Sequence, residues 1–308
     1  MDLNARIKVL KPTLSDNSVQ TYASLLRNLW KQLFIPGTIS RGNIGKHHKD
    51  IISYIESACE NQPKKAKQLY SALLVFSMED DLMEPLDCFQ TMKNLIHKHN
   101  DVDTLLEEKQ ELTERQKKSY ISWDDIIKRR EELKQEVEPL WTSDNISDIC
   151  KVQDYVIACI YTMVPPRRLL DYVQMSKFPP VGYKDSGVLQ KNGRLFFVFA
   201  HYKTAACYGQ QIIPIPECLE QVIYRWFGVN PNDTLLFHKD QSKGLTVKHL
   251  QKRLPAIFKK PGFGVNILRH SFVTENVLKD MPYIEELKTV ASQMGHSIHQ
   301  QALYKKHI

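Results

Sequence analysis

Long apolar runs are absent from this sequence. No segment approaches the ~20 consecutive apolar residues that a membrane-spanning helix needs, so we expect no membrane partner. Residues 1–12 are polar and charged, unlike the apolar core of a signal peptide. These absences predict a soluble, intracellular protein and leave open whether it resides in the cytoplasm or the nucleus.

Cysteine is also scarce. The six cysteines are scattered, form no C-x-x-C pair, and none lies near a histidine at zinc-finger spacing. Acidic residues are not clustered in the way that holds a catalytic metal. The sequence therefore predicts reduced thiols and no metal site. Internal repeats and low-complexity tracts are missing too, which excludes repeat architectures.

The totals fit a globular protein with room for two domains. Its 308 residues can bury a core without disulfides, and 42% apolar with 25% charged content argues against disorder. Lysine and arginine total 42 against 35 acidic residues, a net charge of +7. That excess permits a polyanionic partner such as nucleic acid without requiring one.

The N-terminal half predicts a helical domain. Apolar residues recur at helical spacing in four segments, residues 14–34, 49–58, 64–78 and 85–98. Basic residues cluster at the helix starts and loops, among them Lys46, Lys64 and Lys65. Lysines in such places can contact a DNA backbone, and the alternative is an ordinary solvated face.

A change of composition marks a domain boundary. Residues 101–118 are rich in Glu, Lys, Gln and Asp, which predicts a solvated helix or linker. Ser122, followed closely by two aspartates, has the features of a helix N-cap. We expect a helical domain over residues 1–105, a charged linker or helix over 106–140, and a second domain over 141–308.

The second domain begins with an apolar helix, residues 147–162, which runs into V-P-P-R-R-L-L-D. The prolines break the helix and allow it to restart, since proline fits a first helical turn. Arg168 and Asp171 are three residues apart and would share a helix face. A buried arginine there could present its donors to a phosphate; the alternative is a salt bridge to Asp171 with no further role.

A small sheet is predicted next. Asn192-Gly193 is a hairpin turn between strands at 188–190 and 195–199, and a third strand follows at 211–215. Lys203 falls in the loop before the third strand, where its side chain could reach a cleft or simply be solvated. The predicted fold class is mainly α with a small antiparallel β-sheet (α+β).

Further basic residues lie on a helix predicted over residues 246–258, which Pro255 should bend or shorten. Its polar face carries Lys248, Lys252 and Arg253, opposite the apolar positions. Phosphate contact and a solvated face are the two interpretations of this surface.

The last forty or so residues hold polar residues that an apolar helix pattern does not require: Asn266, Arg269, His270, His296 and Tyr304. The first three fall on the first turns of a predicted helix. His296 directly follows a glycine that ends the next predicted helix, and Tyr304 lies eight residues beyond that histidine.

These residues make the chain resemble the tyrosine recombinases, also called lambda-type integrases, and most of all the virus- or mobile-element-encoded members. V-P-P-R-R-L-L-D is similar to the family's T-G-L-R-x-x-E, with Arg168 as the arginine, although Arg167 competes for that place. H-Y-K-T resembles the family's hairpin lysine segment and assigns Lys203 to it.

The resemblance continues in the C-terminal segment. N-I-L-R-H is similar to the family's H-x-L-R-H and supplies Arg269, while M-G-H-S is similar to L-G-H-S and supplies His296. Tyr304 then takes the place of the nucleophile, one residue closer to His296 than is usual. Asn266 departs from the family's histidine; an amide can still donate a hydrogen bond but cannot titrate.

The resemblance implies a helical core-binding domain and a catalytic domain that bind double-stranded DNA as a homo-tetramer. It implies DNA strand cleavage and rejoining through a 3′-phosphotyrosine intermediate, in recombination, DNA integration or viral genome integration, with no cofactor. Arg168, Arg269 and His296 would stabilise the phosphorane, and Lys203 would protonate the leaving oxygen. Asp171, His270 and Asn266 would support these residues.

Two other functions fit the same residue types. A type IB topoisomerase would relax supercoils as a monomer and would not pair two DNA sites. A catalytically silent DNA-binding protein of the same fold would need none of the five residues, and their joint presence argues against it.

Overall fold

The structure, a computed structural model, describes residues 2–79, 87–108, 111–173, 175–178, 185–240, 244–277, 284–295, 297, 300 and 304. The chain divides into two compact units, Met1–Lys109 and Gln110–Ile308. Each unit has a hydrophobic core of its own.

Five α-helices form the described part of the first unit: α1 (Leu3–Leu10), α2 (Asp16–Gln32), α3 (Arg41–Ala58), α4 (Pro63–Leu74) and α5 (Asp87–Glu108). A 3₁₀ turn, Val75–Met78, extends α4. The helix α1 was not predicted, because eight residues with one fully buried side chain, Ile7, give little periodicity. The other four helices follow the apolar spacing of the sequence.

Local chemistry explains where these helices begin. The Ser15 side chain accepts a hydrogen bond from the Ser18 backbone N–H, which satisfies one of the unpaired donors at the start of α2. Pro63 occupies the first turn of α4, where its missing N–H costs nothing. The buried face of α2, including Leu26 and Leu29, then packs into the core of the first unit.

A polar network ties α3, α4 and α5 together. Glu56 accepts hydrogen bonds from Tyr70 (3.0 Å), Lys98 (3.1 Å) and His99 (2.6 Å). Burial alone would raise the pKa of Glu56, but these hydrogen bonds, that of His99 foremost, lower it below its usual value.

The second unit contains nine described α-helices around a small sheet. They are α6 (Glu114–Ser119), α7 (Trp123–Val137), α8 (Ile146–Thr162), α9 (Leu169–Val173), α10 (Ala205–Tyr208), α11 (Glu217–Val229), α12 (Val247–Ile257), α13 (Val265–Phe272) and α14 (Ile284–Gln293). A π-helical turn, Val273–Val277, follows α13. Pro255 lies inside α12, which ends two residues later.

The sheet has the order β1-β2-β3-β4, from β1 (Ser176–Lys177), β2 (Gly187–Lys191), β3 (Arg194–Phe199) and β4 (Gln211–Pro214). Asn192 and Gly193 form the hairpin turn with φ of 51° and 76°. The predicted class, mainly α with a small sheet, is confirmed. The sheet is mixed rather than antiparallel, because the two-residue strand β1 pairs parallel to β2 and was too short to predict.

The segment predicted as a charged linker or helix contains α6 and α7. One face of α7 is buried in the core of the second unit through Trp123, Ile126 and Leu133. Arg129 on the same helix donates to the Ile257 carbonyl at 2.8 Å, which fastens α7 to α12. The helix α7 is therefore a structural part of the second unit.

No described helix has both the length and the apolar character that crossing a membrane requires. Within the same residues, no group of three or more His, Cys, Asp or Glu side chains is arranged to hold a metal ion.

A buried glutamine side chain takes the place of a strand partner in the second unit. Gln153, with no exposed surface, donates to the Phe237 carbonyl (3.1 Å) and accepts from the Phe237 N–H (2.8 Å). We expect Gln153→Ala to lower the free energy of unfolding by roughly 2–5 kcal/mol, because two buried backbone groups lose their partner. Urea unfolding followed by tryptophan fluorescence measures this.

The matched control is Gln135→Ala, on the exposed side of α7. It should change the free energy of unfolding by less than about 0.5 kcal/mol. Equal losses in the two variants would show that the Gln153 hydrogen bonds do not stabilise the unit.

Candidate active site

The C-terminal end of α14 is the point on which several predicted site residues converge. A helix leaves its last carbonyls without intrahelical partners, and cations are favoured there. Here Arg167 donates to the Gln293 carbonyl (2.7 Å), and Arg269 donates to the Met294 carbonyl (3.4 Å). Gly295, with φ of 68°, ends the helix in a left-handed turn.

The Gly295 carbonyl accepts two side-chain hydrogen bonds, one of which joins a further segment to this turn. It accepts from an Arg168 guanidinium nitrogen (3.2 Å) and from the Thr204 hydroxyl (2.9 Å). Lys203 directly precedes Thr204 and is exposed, so the predicted lysine lies in the loop that borders the turn. His296 follows Gly295 in the chain but lies outside the described residues.

Arg167 is a buried side chain that holds this turn in place through several contacts. It is 1% exposed and donates to the Asp171 carboxylate (2.9 Å) and the Gln211 side-chain oxygen (2.7 Å). Its guanidinium also lies over the Phe199 ring, 3.8 Å from the centroid. One nitrogen of Arg167, Nη2, is buried without a hydrogen-bond partner among the described residues.

The expected placement of Arg168 and Asp171 on one helix face is corrected by the structure. The helix α9 begins only at Leu169, so Arg168 precedes it and helical spacing does not apply. Asp171 pairs with Arg167 instead, and burial raises its pKa despite that positive neighbour. Arg168 is half-buried, and the bond to Gly295 is the one side-chain hydrogen bond that it makes to a described residue.

Arg269 has no exposed surface on α13, and its Nε and Nη1 atoms lack partners among the described residues. Burial lowers the pKa of Arg269 to about 10. Tyr304 and Asp171 raise this pKa, whereas the positive charges of Arg168 and Arg167 lower it further. The guanidinium is still a cation at neutral pH. A buried cation with unused N–H groups beside a second cation is arranged to receive an anion.

Tyr304 lies against Arg269 and His270. The Arg269 guanidinium carbon is 4.5 Å from the centroid of the Tyr304 ring, and the His270 ring centroid is 4.9 Å from it. His270 also donates from Nδ1 to the Tyr304 carbonyl (2.8 Å). Asn266, in contrast, is exposed one turn earlier on α13, and its side chain makes no hydrogen bond to a described residue.

The six basic residues predicted to contact DNA fall into two groups. Lys64 pairs with Glu107 (2.7 Å), and Arg253 pairs with Asp154 (2.7 Å), so their charges are engaged within the protein. The others are exposed and form no ion pair with a described residue: Lys46, Lys65, Lys248 and Lys252.

Three side chains that organise the site were not among the sequence candidates: Thr204, Gln211 and Gln116. Gln116 donates to the His270 ring at 3.4 Å. A signal was present in its case, because T-E-R-Q over residues 113–116 matches the capping-box pattern at a helix start. Thr204 and Gln211 carry no comparable signal, since single polar residues in loops and edge strands are common.

Comparison with known proteins adds little to this geometry. No protein-family model matches the chain, and no curated protein matches it. Among solved structures, the crystal structure of XerA recombinase is similar over 99% of this chain and 93% of the other, with 14% sequence identity and a TM-score of 0.41. A likeness at that level is too distant to establish an activity or a shared site.

Gly295 should not tolerate a side chain. A Cβ atom there would lie 3.0 Å from Arg167 Nη2, and Arg167 is held by its own hydrogen bonds. An alanine at positive φ is destabilising by itself. We expect Gly295→Ala to reduce the free energy of unfolding by roughly 1–3 kcal/mol beyond that cost, because the added methyl group overpacks against Arg167. Chemical denaturation of the purified variant measures this loss.

Gly209→Ala is the matched control, because Gly209 has nearly the same φ of 67° and open space around its Cβ position. It isolates the cost of a left-handed alanine, roughly 1–2 kcal/mol. If both variants lose the same stability, contact between Gly295 and Arg167 does not constrain the turn.

Proposed function

We propose that this protein is a site-specific DNA recombinase or integrase that cleaves and rejoins DNA through a tyrosine. One observation carries the proposal: Arg269, a fully buried cation with two nitrogens that lack partners among the described residues, lies beside Arg168 and against the Tyr304 ring. A phosphodiester supplies the missing negative charge, and a tyrosine next to it supplies a nucleophile.

The proposed reaction is a transesterification. The Tyr304 oxygen attacks the phosphorus and releases its proton to water, the bond from phosphorus to the 5′-oxygen breaks, and a 3′-phosphotyrosine forms. Lys203, in the loop beside Gly295, would give a proton to the departing 5′-oxygen. The reverse attack by a 5′-hydroxyl reseals the strand, so no cofactor is required.

We assign different roles to the two adjacent arginines. Arg168 and Arg269, together with His296, would donate to the non-bridging oxygens of the phosphorane, where negative charge develops. Arg167 would hold the turn, since three of its hydrogen bonds and its ring contacts are made within the protein.

Double-stranded DNA is the proposed partner. The net charge of +7 and the four exposed lysines without ion pairs to described residues, Lys46, Lys65, Lys248 and Lys252, support contact with phosphates. We further propose that the first unit is a core-binding domain, that a homo-tetramer assembles on DNA, and that the reaction serves integration of a viral or mobile genome.

The cleavage test uses a suicide substrate, nicked or with a 5′-bridging phosphorothioate, that traps the covalent complex. We expect a protein–DNA band from the unaltered chain and none from Tyr304→Phe, because phenylalanine has no hydroxyl to attack phosphorus. Denaturing gel electrophoresis with labelled DNA measures it.

Tyr224→Phe is the control, since Tyr224 is an exposed tyrosine of α11 whose hydroxyl bonds the hairpin at Gly193. It should keep the covalent band. A band that persists in Tyr304→Phe would overturn the assignment of the nucleophile. Joining of two marked DNA sites then supports a recombinase, whereas relaxation without joining supports a topoisomerase.

Removing either phosphate-facing arginine should separate cleavage from binding. We expect Arg168→Ala and Arg269→Ala each to slow single-turnover cleavage by about 10²–10³-fold, the cost of losing one preorganised donor, while DNA affinity changes little. Cleavage time courses and binding isotherms on one substrate measure the two effects.

Arg225→Ala serves as the control, because Arg225 lies over the Trp141 ring and pairs with Glu138 on the surface. It should cleave normally. A normal cleavage rate in Arg168→Ala or Arg269→Ala would show that the residue in question does not act on the phosphate.

A further inference from the structure

The first helix of the second unit begins with a reciprocal pair of hydrogen bonds. The Thr113 hydroxyl accepts from the Gln116 backbone N–H (3.3 Å), and the Thr113 backbone N–H donates to the Gln116 side-chain oxygen (2.9 Å). The Thr113 hydroxyl also donates to that oxygen at 2.9 Å. This capping box fixes the orientation of the Gln116 amide, because its oxygen is already bound.

With its oxygen held by Thr113, the Gln116 amide turns its NH₂ group towards His270. The amide nitrogen lies 3.4 Å from His270 Nε2, and an NH₂ group can only donate, so Nε2 must accept. On the other side of the ring, Nδ1 is 2.8 Å from the Tyr304 carbonyl, which can only accept. The hydrogen bonds at the two ring nitrogens therefore favour the same state, neutral His270 with its proton on Nδ1.

The segment after α6 also forms hydrogen bonds with residues that follow His270 in the chain. Glu275, in the π-helical turn, accepts from the Tyr120 hydroxyl and from the Trp123 backbone N–H (2.9 Å). The Ser271 hydroxyl donates to the Ile121 carbonyl at 2.6 Å. Burial and the Glu275 carboxylate raise the pKa of Tyr120, which keeps its hydroxyl a donor.

We propose that Gln116 is a positioning residue for the nucleophile: it sets the tautomer of His270, which holds the Tyr304 backbone so that the phenol lies against Arg269. This inference rests on the proposed function, because it assumes that Tyr304 attacks phosphate. In this role Gln116 acts on the nucleophile through His270 and takes no part in the reaction itself. Its effect passes through His270, which is 7% exposed and so is held in place by its partners.

Gln116→Glu tests the role sharply. Glutamate also completes a capping box at this position, so the start of α6 is retained. A carboxylate cannot donate to Nε2, however, and it favours a proton on that atom instead. We expect single-turnover cleavage of the suicide substrate to slow by roughly 10–100-fold, as misplacement of a reacting group does, with unchanged DNA affinity.

Gln135→Glu is the matched control, since it makes the same chemical change on the exposed side of α7. It should cleave at the normal rate. Gln116→Ala should be slow as well, because it removes the same donor. Normal cleavage by Gln116→Glu would overturn the positioning role.

Nitrogen NMR of the histidine rings supplies a readout that does not depend on activity. The chain has 11 histidines, and His270→Gln identifies the signals of His270. We expect a neutral ring with a protonated Nδ1 in the unaltered chain, and protonated Nε2 in Gln116→Glu. A ring protonated on Nε2 in the unaltered chain would overturn the inference.

The two readouts separate the two possible failures. Suppose that the unaltered protein forms no covalent complex but His270 carries its proton on Nδ1. The proposed function and the positioning role then both fail, while the hydrogen bonds from Gln116 through His270 to Tyr304 are confirmed. If the covalent complex forms but the tautomer is wrong, the function stands and the role of Gln116 fails.

Discussion

Positive charge buried at the end of α14 is the constraint on which the rest of the site depends. The carbonyls of Gln293, Met294 and Gly295 each accept from a different arginine, so one turn is joined to residues 167–168 and to α13. Among the described residues, Asp171 is the carboxylate that pairs with this group, through Arg167. Unpaired buried charge is costly, so the positive charge that Asp171 leaves unbalanced favours binding of an anion.

The same arrangement gives two neighbouring arginines different surroundings. Arg167 uses its guanidinium for contacts within the protein, with β3, β4 and the end of α14. Arg168, one residue later, contacts the turn through a single carbonyl and keeps part of its surface accessible. Under the proposed function, this motif would supply a structural arginine and a phosphate-binding arginine side by side.

Local rules were enough to predict most of the helices and the hairpin. Ser122 was recognisable as a cap, and its side chain accepts from the Asp125 backbone N–H. Asn192-Gly193 forms the predicted turn because both residues adopt positive φ. The short strand β1 escaped prediction, since it depends on pairing with β2 rather than on any pattern of its own.

The site was predictable only in part. The order of Arg168, Lys203, Arg269 and Tyr304 along the chain was visible, but their roles stay predictions. Which arginine pairs with Asp171 depends on where α9 starts, a detail of one residue that composition does not determine. Gln116 and His270 are 154 residues apart, and no spacing rule connects them.

The contrast between buried arginines and exposed lysines has a consequence for ionic strength. Dissolved ions screen surface charges within about 8–10 Å at ordinary concentrations and hardly reach groups shielded from water. Added salt should therefore weaken the proposed contacts of Lys46, Lys65, Lys248 and Lys252 with a polyanion, while the guanidiniums around Gly295 keep their arrangement. The arginines around Gly295 would therefore stay in place after a bound polyanion has dissociated.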